Sequence, residues 1–273
     1  MAAVVASTEW DVVIDVSGQP GQVRRAVRNL RCERWVFVSS GNVYADFSTI
    51  EQSEDSPLLA LPDGEVMESM ESYGAAKVAC ENVVRSGGST ATIVRSGLIG
   101  GPGDWSGRTG YWPWRFAHPT DTDVIVPDDL DFPCAIIDVR DLAAWVVTAA
   151  EVCLDGTFNA TGLTVPLRDV FRVSARVAGR EDLAIRPVAP TRLRELGVAG
   201  WMGPKSLPLW IDDPSWRGFA TMDTTRARAA ELTTRSLDET LFDTLNYENE
   251  RDTPRQAGLT DDDERDIRRA IPT

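Results

Sequence analysis

The sequence is poor in several residues that commonly carry chemistry. It has one histidine, two lysines (Lys77 and Lys205) and no C-x-x-C pair. A single histidine argues against a His-based metal site. The four cysteines, Cys32, Cys80, Cys134 and Cys153, are widely scattered. They read as buried free thiols, not as a disulfide framework or metal site. No apolar run reaches about 18 residues, so no transmembrane helix is expected. The opening M-A-A-V-V-A-S lacks the basic flank and apolar length of a signal peptide. Positive charge is outweighed, 28 Lys and Arg against 42 Asp and Glu, for a net charge of −14. That balance disfavours nucleic acid or an anionic membrane surface as partner. A cytoplasmic protein acting on a small molecule is the expectation, with a homodimer left open.

The composition supports a packed core. The chain has 273 residues, 42% of them hydrophobic, and nine tryptophans. This suffices for one large domain or a domain plus a lobe. The β-branched run Asp11–Val16 reads as a strand. Ser17–Gly21 is a turn, and Gln22–Arg31 a helix with Val23, Ala26, Val27 and Leu30 inward. Trp35–Val38 is a second, buried strand. Strand, helix, strand makes a βαβ unit in a parallel sheet.

The stretch Arg34–Lys77 organises the rest. Its strand ends in Ser39-Ser40-Gly41, placing hydroxyls at the C-terminal edge, where open parallel sheets bind ligands. Tyr73 and Lys77 are four apart in a helical segment, Met67–Arg85, and share one face. A free phenol titrates near ~10. Working near neutrality requires about 4 kcal/mol of help. A nearby ammonium would lower that pKa, and the Ser40 hydroxyl could hydrogen-bond a reacting oxygen. Y-x-x-x-K alone also occurs by chance; the Ser-Ser edge gives it weight.

S-S-G-N-V-Y followed by S-Y-G-A-A-K resembles the extended short-chain dehydrogenase/reductase family, in its NAD-dependent epimerase/dehydratase branch. The resemblance implies a catalytic set of Ser40, Tyr73 and Lys77, with V-Y-A at Val43–Ala45 in place of the usual V-Y-G. It implies an α/β fold: a Rossmann-like parallel sheet, N-terminally incomplete, with a smaller C-terminal α+β substrate lobe. The cofactor would be NAD or NADP, near Ser17, Ser39, Tyr73, Lys77, Gly97 and Leu98. The last two follow the strand Thr90–Arg95, in a turn that passes under the nicotinamide in the family; Ser96 stands there in place of a common proline. Tyr73 would exchange a proton with the substrate, while Lys77 lowers its pKa and holds the ribose hydroxyls. I-x-V-x-D-L-A around Asp138 and Asp141, both expected as structural caps, and G-T-F-N-A-T-G at 156–162 also match.

The family's G-x-x-G-x-x-G turn has no counterpart before Asp11, and S-G-Q-P-G at Ser17–Gly21 is not a substitute. The match enters the family pattern at its fourth strand, leaving about 60 residues of a family-length first half unmatched. A start codon placed too far downstream, a real truncation and a degenerate cofactor site are the alternatives. The intact catalytic residues favour the first.

The polar stretch Ala45–Met70, with Glu51, Glu54, Asp55, Asp63, Glu65 and Glu68, reads as a solvated loop. Asp104–Pro119 interleaves aromatics with arginines, a composition able to stack on a ring and grip an anion. Arg108, Tyr111, Trp112 and Arg115, with Asn42 beyond the Ser-Ser edge, are the candidate substrate contacts. His118 reads as structural. The expected partition is a core of 1–103 with 134–163 returning, a lobe of 104–133 and 164–250, and a linker with an exposed, charged tail helix at 251–273. The leading function is an NAD(P)-dependent oxidoreductase or epimerase acting on a nucleotide-sugar or smaller carbonyl. The alternatives are a non-catalytic binding or scaffold protein and an inactive fragment with an exposed apolar sheet face.

Overall fold

The computed structural model describes residues 8–62 and 64–271. Most of the expected lead-in and Asp63 of the acidic cluster lie outside the described residues. The chain divides into two compact units. The first takes the described residues up to Gly97 with Arg140–Thr161 and Thr221–Thr233. The second takes Leu98–Val139, Gly162–Ala220 and the described residues from Thr234 on.

The first unit is built on β1 (Glu9–Asp15), α1 (Pro20–Asn29), β2 (Arg31–Ser40), α2 (Tyr73–Arg85), β3 (Thr90–Ser96), α3 (Val139–Glu151) and β4 (Gly156–Ala160). The strands form one sheet in the order β1-β2-β3-β4, parallel throughout. Val23 from α1 and Cys80 and Val84 from α2 pack against Trp35, Phe37 and Ile93 of the sheet. This is the apolar face that the 3.6-residue period of α1 foreshadows. α3 presents Trp145 to Phe158 of β4, with ring centroids 5.8 Å apart. β1 is the sheet edge, and Trp10, Ile14 and Val16 on or just past it are exposed.

Two features correct the sequence reading. The polar loop after β2 is not wholly solvated. Gln52 and Glu54 are buried, and Glu54 accepts the Asn159 N–H at 2.8 Å. Residues 221–233 belong with this unit rather than with the lobe. Met222 packs with Val43, Tyr44 and Val78, and the Asp223 N–H donates to the Gln52 carbonyl at 3.1 Å.

The second unit has its own core, which includes Trp112, Phe116, Ile125, Phe132, Phe171, Leu207 and Trp210. Asp123–Pro127 pairs in parallel with Ala184–Val188. Tyr111–Ala117 is a helix, with Pro113 in its first turn, where proline is tolerated. The helix Asp261–Ala270 is docked, not an exposed tail: Glu264 and Ile267 are buried. Thr260 caps it through the Asp263 N–H at 3.1 Å. Acids in its first turn and arginines in its last complement the helix dipole.

Candidate active site

The C-terminal ends of β1 and β2 and the start of α2 bring Ser17, Ser39, Ser40, Tyr73 and Lys77 together. Tyr73 opens α2 directly after a 3-10 turn, Met70–Ser72. Gly74 lets that start approach the chain beyond β2: a Cβ there would lie 2.1 Å from the Asn42 carbonyl oxygen. The Ser40 hydroxyl donates to Asn42 Oδ1 at 2.9 Å and accepts the Asn42 N–H at 3.2 Å. Asn42 is thereby a local partner of Ser40.

Lys77 is buried, and its Nζ donates to the carbonyls of Ser17 at 2.9 Å and Val38 at 2.7 Å. It lies 4.7 Å from the Phe37 ring centroid and 6.0 Å from that of Tyr73. Burial lowers its pKa; Cys80, Asp15 and Glu81 oppose that shift. Burial raises the Tyr73 pKa, while its interaction with the Ser40 hydroxyl pulls it down. The expected lowering by Lys77 is not what this geometry gives. The ammonium is turned to two carbonyls, and desolvation of the phenol dominates. Without cofactor, Tyr73 is a neutral phenol near neutrality.

Ser39 and Ser17 are held by protein partners. The Ser39 hydroxyl donates to Glu81 Oε1 at 2.7 Å. The Ser17 hydroxyl donates to Gln22 Oε1 at 3.0 Å, and its N–H to Asp15 Oδ1 at 2.8 Å. The Ser96 hydroxyl donates to the Ser39 carbonyl at 3.0 Å, tying the ends of β2 and β3. The Gly97 N–H is taken up by the Ala160 carbonyl at 2.9 Å, and a Cβ at Gly97 would meet Thr161 Oγ1 at 2.4 Å. Leu98 is buried in the second unit.

In that unit, the Trp112 indole donates to the Pro208 carbonyl at 2.8 Å, and Trp112 stacks edge-on to Phe171. Tyr111 is buried beside it. Arg115 is fully buried; it pairs with Asp261 at 2.8 Å and Glu264 at 3.3 Å and donates to the Leu259 carbonyl at 2.9 Å. These three side chains serve the interior of the unit: all are buried, Trp112 and Arg115 are engaged in hydrogen bonds, and the Tyr111 ring packs edge-on against Trp112 at 4.9 Å. His118 stacks on Trp114 at 5.1 Å, as a structural residue would. Arg108 differs. It sits 5.3 Å over Trp201 and bonds the Ser106 hydroxyl at 3.2 Å; among the described residues no close ion pair holds it, although the Asp104 carboxylate attracts it and opposes the lowering of its pKa by burial.

The residues fit one end of a nicotinamide dinucleotide and not the other. Beside Gly97, one of the expected nicotinamide contacts, Thr161 Oγ1 is buried without a hydrogen-bond partner among the described residues. Tyr73 Cε2 lies 3.7 Å from where a Gly18 Cβ would begin, so the ring borders the turn after β1. The phosphate end requires free amides at a helix N-terminus. At α1 those amides are engaged. The Gly21 N–H donates to the Glu65 carbonyl at 2.9 Å, and the Gln22 and Val23 N–H groups to the Gln19 carbonyl at 2.9 and 3.1 Å; the Gln19 side chain also accepts the Met67 N–H at 2.9 Å, which clasps the turn from outside the helix. Ser17–Gly21 is therefore a clasped turn, not a phosphate loop.

Sequence reasoning missed Glu81. It is fully buried, takes two hydrogen bonds from Arg95, at 3.0 and 2.9 Å, and holds Ser39. Its spacing of four from Lys77 was the available signal.

Among the described residues no helix is long and apolar enough to cross a membrane, and no cluster of metal-ligating side chains occurs. No curated protein matches the sequence significantly. Solved structures do match. UDP-N-acetylglucosamine 4-epimerase from Bacillus cereus is 15% identical with a TM-score of 0.62, over 94% of this chain and 83% of that one. The UDP-Glc/GlcNAc 4-epimerase from Campylobacter jejuni is 14% identical with a TM-score of 0.62, over 92% and 80%. UDP-glucuronic acid 4-epimerase from Bacillus cereus, solved with NAD, is 13% identical with a TM-score of 0.61, over 91% and 78%. Identities this low speak for a shared Rossmann-like fold. The NAD dependent epimerase/dehydratase family model matches residues 18–160, more than half of the sequence. By that match the chain belongs to the NAD dependent epimerase/dehydratase family.

Proposed function

We propose that the chain is an NAD(P)-dependent epimerase or dehydratase acting on a nucleotide-sugar, with Ser40, Tyr73 and Lys77 as its working set. One observation carries the reading: α2 sets Tyr73 and a buried Lys77 beside Ser40 at the C-terminal edge of a parallel sheet. That edge is where such sheets bind ligands. The solved relatives named above act on UDP-sugars, which supports the substrate class.

A bound nicotinamide supplies hydride transfer. The chain's own side chains handle the proton and the orientation. The Tyr73 phenol gives or takes the proton at the reacting sugar oxygen. Ser40 holds that oxygen by a hydrogen bond. Lys77 keeps the ends of β1 and β2 together and offers its third N–H to a ribose hydroxyl. Arg108, which no close ion pair occupies, suits an anionic group of the substrate.

A non-catalytic binding protein is the second reading, and the clasped N-terminus of α1 favours it. The test is incubation of the purified chain with NAD and UDP-N-acetylglucosamine or UDP-glucose, followed by NMR of the sugar. Epimer formation or water-elimination product supports the enzyme. No product, together with no NADH binding by calorimetry, sinks it and leaves the binding reading.

A further inference from the structure

Tyr73, Lys77 and Glu81 lie at i, i+4 and i+8 of α2, one stripe along a single helix face. The first two belong to the proposed working set. Glu81 closes the stripe and is fully buried. It accepts the Ser39 hydroxyl at 2.7 Å and the Arg95 guanidinium through both oxygens, at 3.0 and 2.9 Å. Arg85, one turn on, reaches it at 3.3 Å. Arg95 continues to the Glu54 carbonyl at 3.0 Å and the Tyr44 hydroxyl at 3.3 Å. Tyr44 donates to Asn159 Oδ1 at 2.5 Å. The network binds α2 to the ends of β2, β3 and β4 and to the loop after β2.

Burying a carboxylate and a guanidinium costs several kcal/mol in desolvation, and apolar residues of similar volume often serve stability as well. Stability alone therefore does not account for the pair. Its position offers another use. Ser39 immediately precedes Ser40, and Glu81 shares its helix with Tyr73. The Ser39–Glu81 bond consequently ties the strand that carries one working hydroxyl to the helix that carries the other.

We propose that Glu81 is a positioning residue, which through Ser39 and Arg95 sets the approach of the Ser40 hydroxyl to the Tyr73 phenol. This deepens the proposed function and rests on the Ser40–Tyr73 pairing it assumes.

The test uses protein labelled with 13Cζ-tyrosine, in four versions: the parent chain, Ser40→Ala, Glu81→Leu/Arg95→Met and Glu81→Gln. Tyr73→Phe assigns the resonance. Replacing the pair together avoids stranding a buried charge, and a melting curve shows that the double variant is folded. Ser40→Ala defines the shift of a lost contact. The double variant is expected to move the Tyr73 resonance in the same direction, by at least half that shift. Glu81→Gln, which keeps an acceptor for Ser39, is expected to move it less. Glu81→Gln removes the charge while keeping the acceptor for Ser39, so comparing it with the double variant separates position from charge. A folded double variant with the parent resonance, while Ser40→Ala moves it, overturns the proposal. If Ser40→Ala moves nothing, the Ser40–Tyr73 pairing itself fails, and the proposal falls with it.

Discussion

The Lys77 ammonium donates to the main-chain carbonyl of Ser17 at 2.9 Å, so a helix side chain closes the turn after β1. A second bond reaches the Val38 carbonyl. Lys77→Met removes both donors from a buried site. The expected loss is about 1–3 kcal/mol at pH 7, measured by urea denaturation. The pH dependence carries a sign. Burial lowers the folded-state pKa of Lys77 below its unfolded value of about 10.4. Below the folded value both states hold the proton, and the folded state bears the full burial cost. Between the two values only the unfolded state holds it, so stability rises with pH across that window. Lys77→Met lacks this rise. Its stability deficit should widen as pH climbs toward 10.4, and parallel curves would count against the buried ammonium.

Tyr73→Phe separates chemistry from folding. The ring stays and the hydroxyl goes. Product formation is expected to fall by about 10²–10⁴-fold, with the melting temperature little changed. In the cofactor-free chain, the absorbance titration lost in Tyr73→Phe should lie above pH 10, because burial favours the neutral phenol. A phenol titrating below 9 would restore the direct lysine–tyrosine coupling that the sequence suggested.

The sheet was legible because it rests on local pattern. β-branched runs marked the strands, and a spacing of four placed Tyr73 and Lys77 on one face. Glu81 shares that spacing, yet an acid on a helix ordinarily faces water. Only Ser39 and Arg95, on strands distant in sequence, make it a buried anchor. Glu54 was hidden similarly in an acid-rich loop. The arginines and aromatics of Asp104–Pro119 read as a surface for ligands. The partners of Arg115, Asp261 and Glu264, lie about 145 residues away in a helix that looked like an exposed tail. Pairings of that range leave no periodic trace.

Gly74 is a fixed point of the site. A methyl group there would sit 2.1 Å from the Asn42 carbonyl oxygen, a backbone atom with no rotamer to change. Gly74→Ala is expected to destabilise the fold by at least about 1–3 kcal/mol and to shift the Tyr73 resonance. At Gly41 the neighbour of a new Cβ is the flexible Met222 side chain, at 2.9 Å. Gly41→Ala should be the milder change by thermal melting, and the reverse order would contradict the packing.

The cysteines were expected to be buried, and two are. Cys80 and Cys134 lie in the interior, and burial pushes the Cys80 thiol up to about 11 and the Cys134 thiol higher still. Cys153 is exposed and Cys32 half-buried. The thiolate is the reactive form. A disulfide reagent at pH 8 should therefore label Cys153 fast, Cys32 more slowly, and Cys80 and Cys134 only after unfolding. Rapid labelling of Cys80 in the native state would mean that α2 opens from the sheet.

Arg115 decides between packing and substrate recognition in the aromatic segment. Its guanidinium is fully buried against Asp261 and Glu264, and its removal leaves Glu264, also buried, without one of its cations. Breaking one side of such a pair costs about 3–5 kcal/mol. Arg115→Ala should lower the melting temperature by roughly 6–20 °C, given about 2–4 °C per kcal/mol for chains of this size. Arg108→Ala removes a guanidinium held by no close ion pair, with only a longer-range attraction to Asp104, and should leave melting nearly unchanged. The two variants should then separate in opposite senses. Arg115→Ala is expected to keep KM for the UDP-sugar while losing stability, and Arg108→Ala to raise KM at full stability. Unaltered melting for Arg115→Ala with a raised KM would move Arg115 from the core to the substrate.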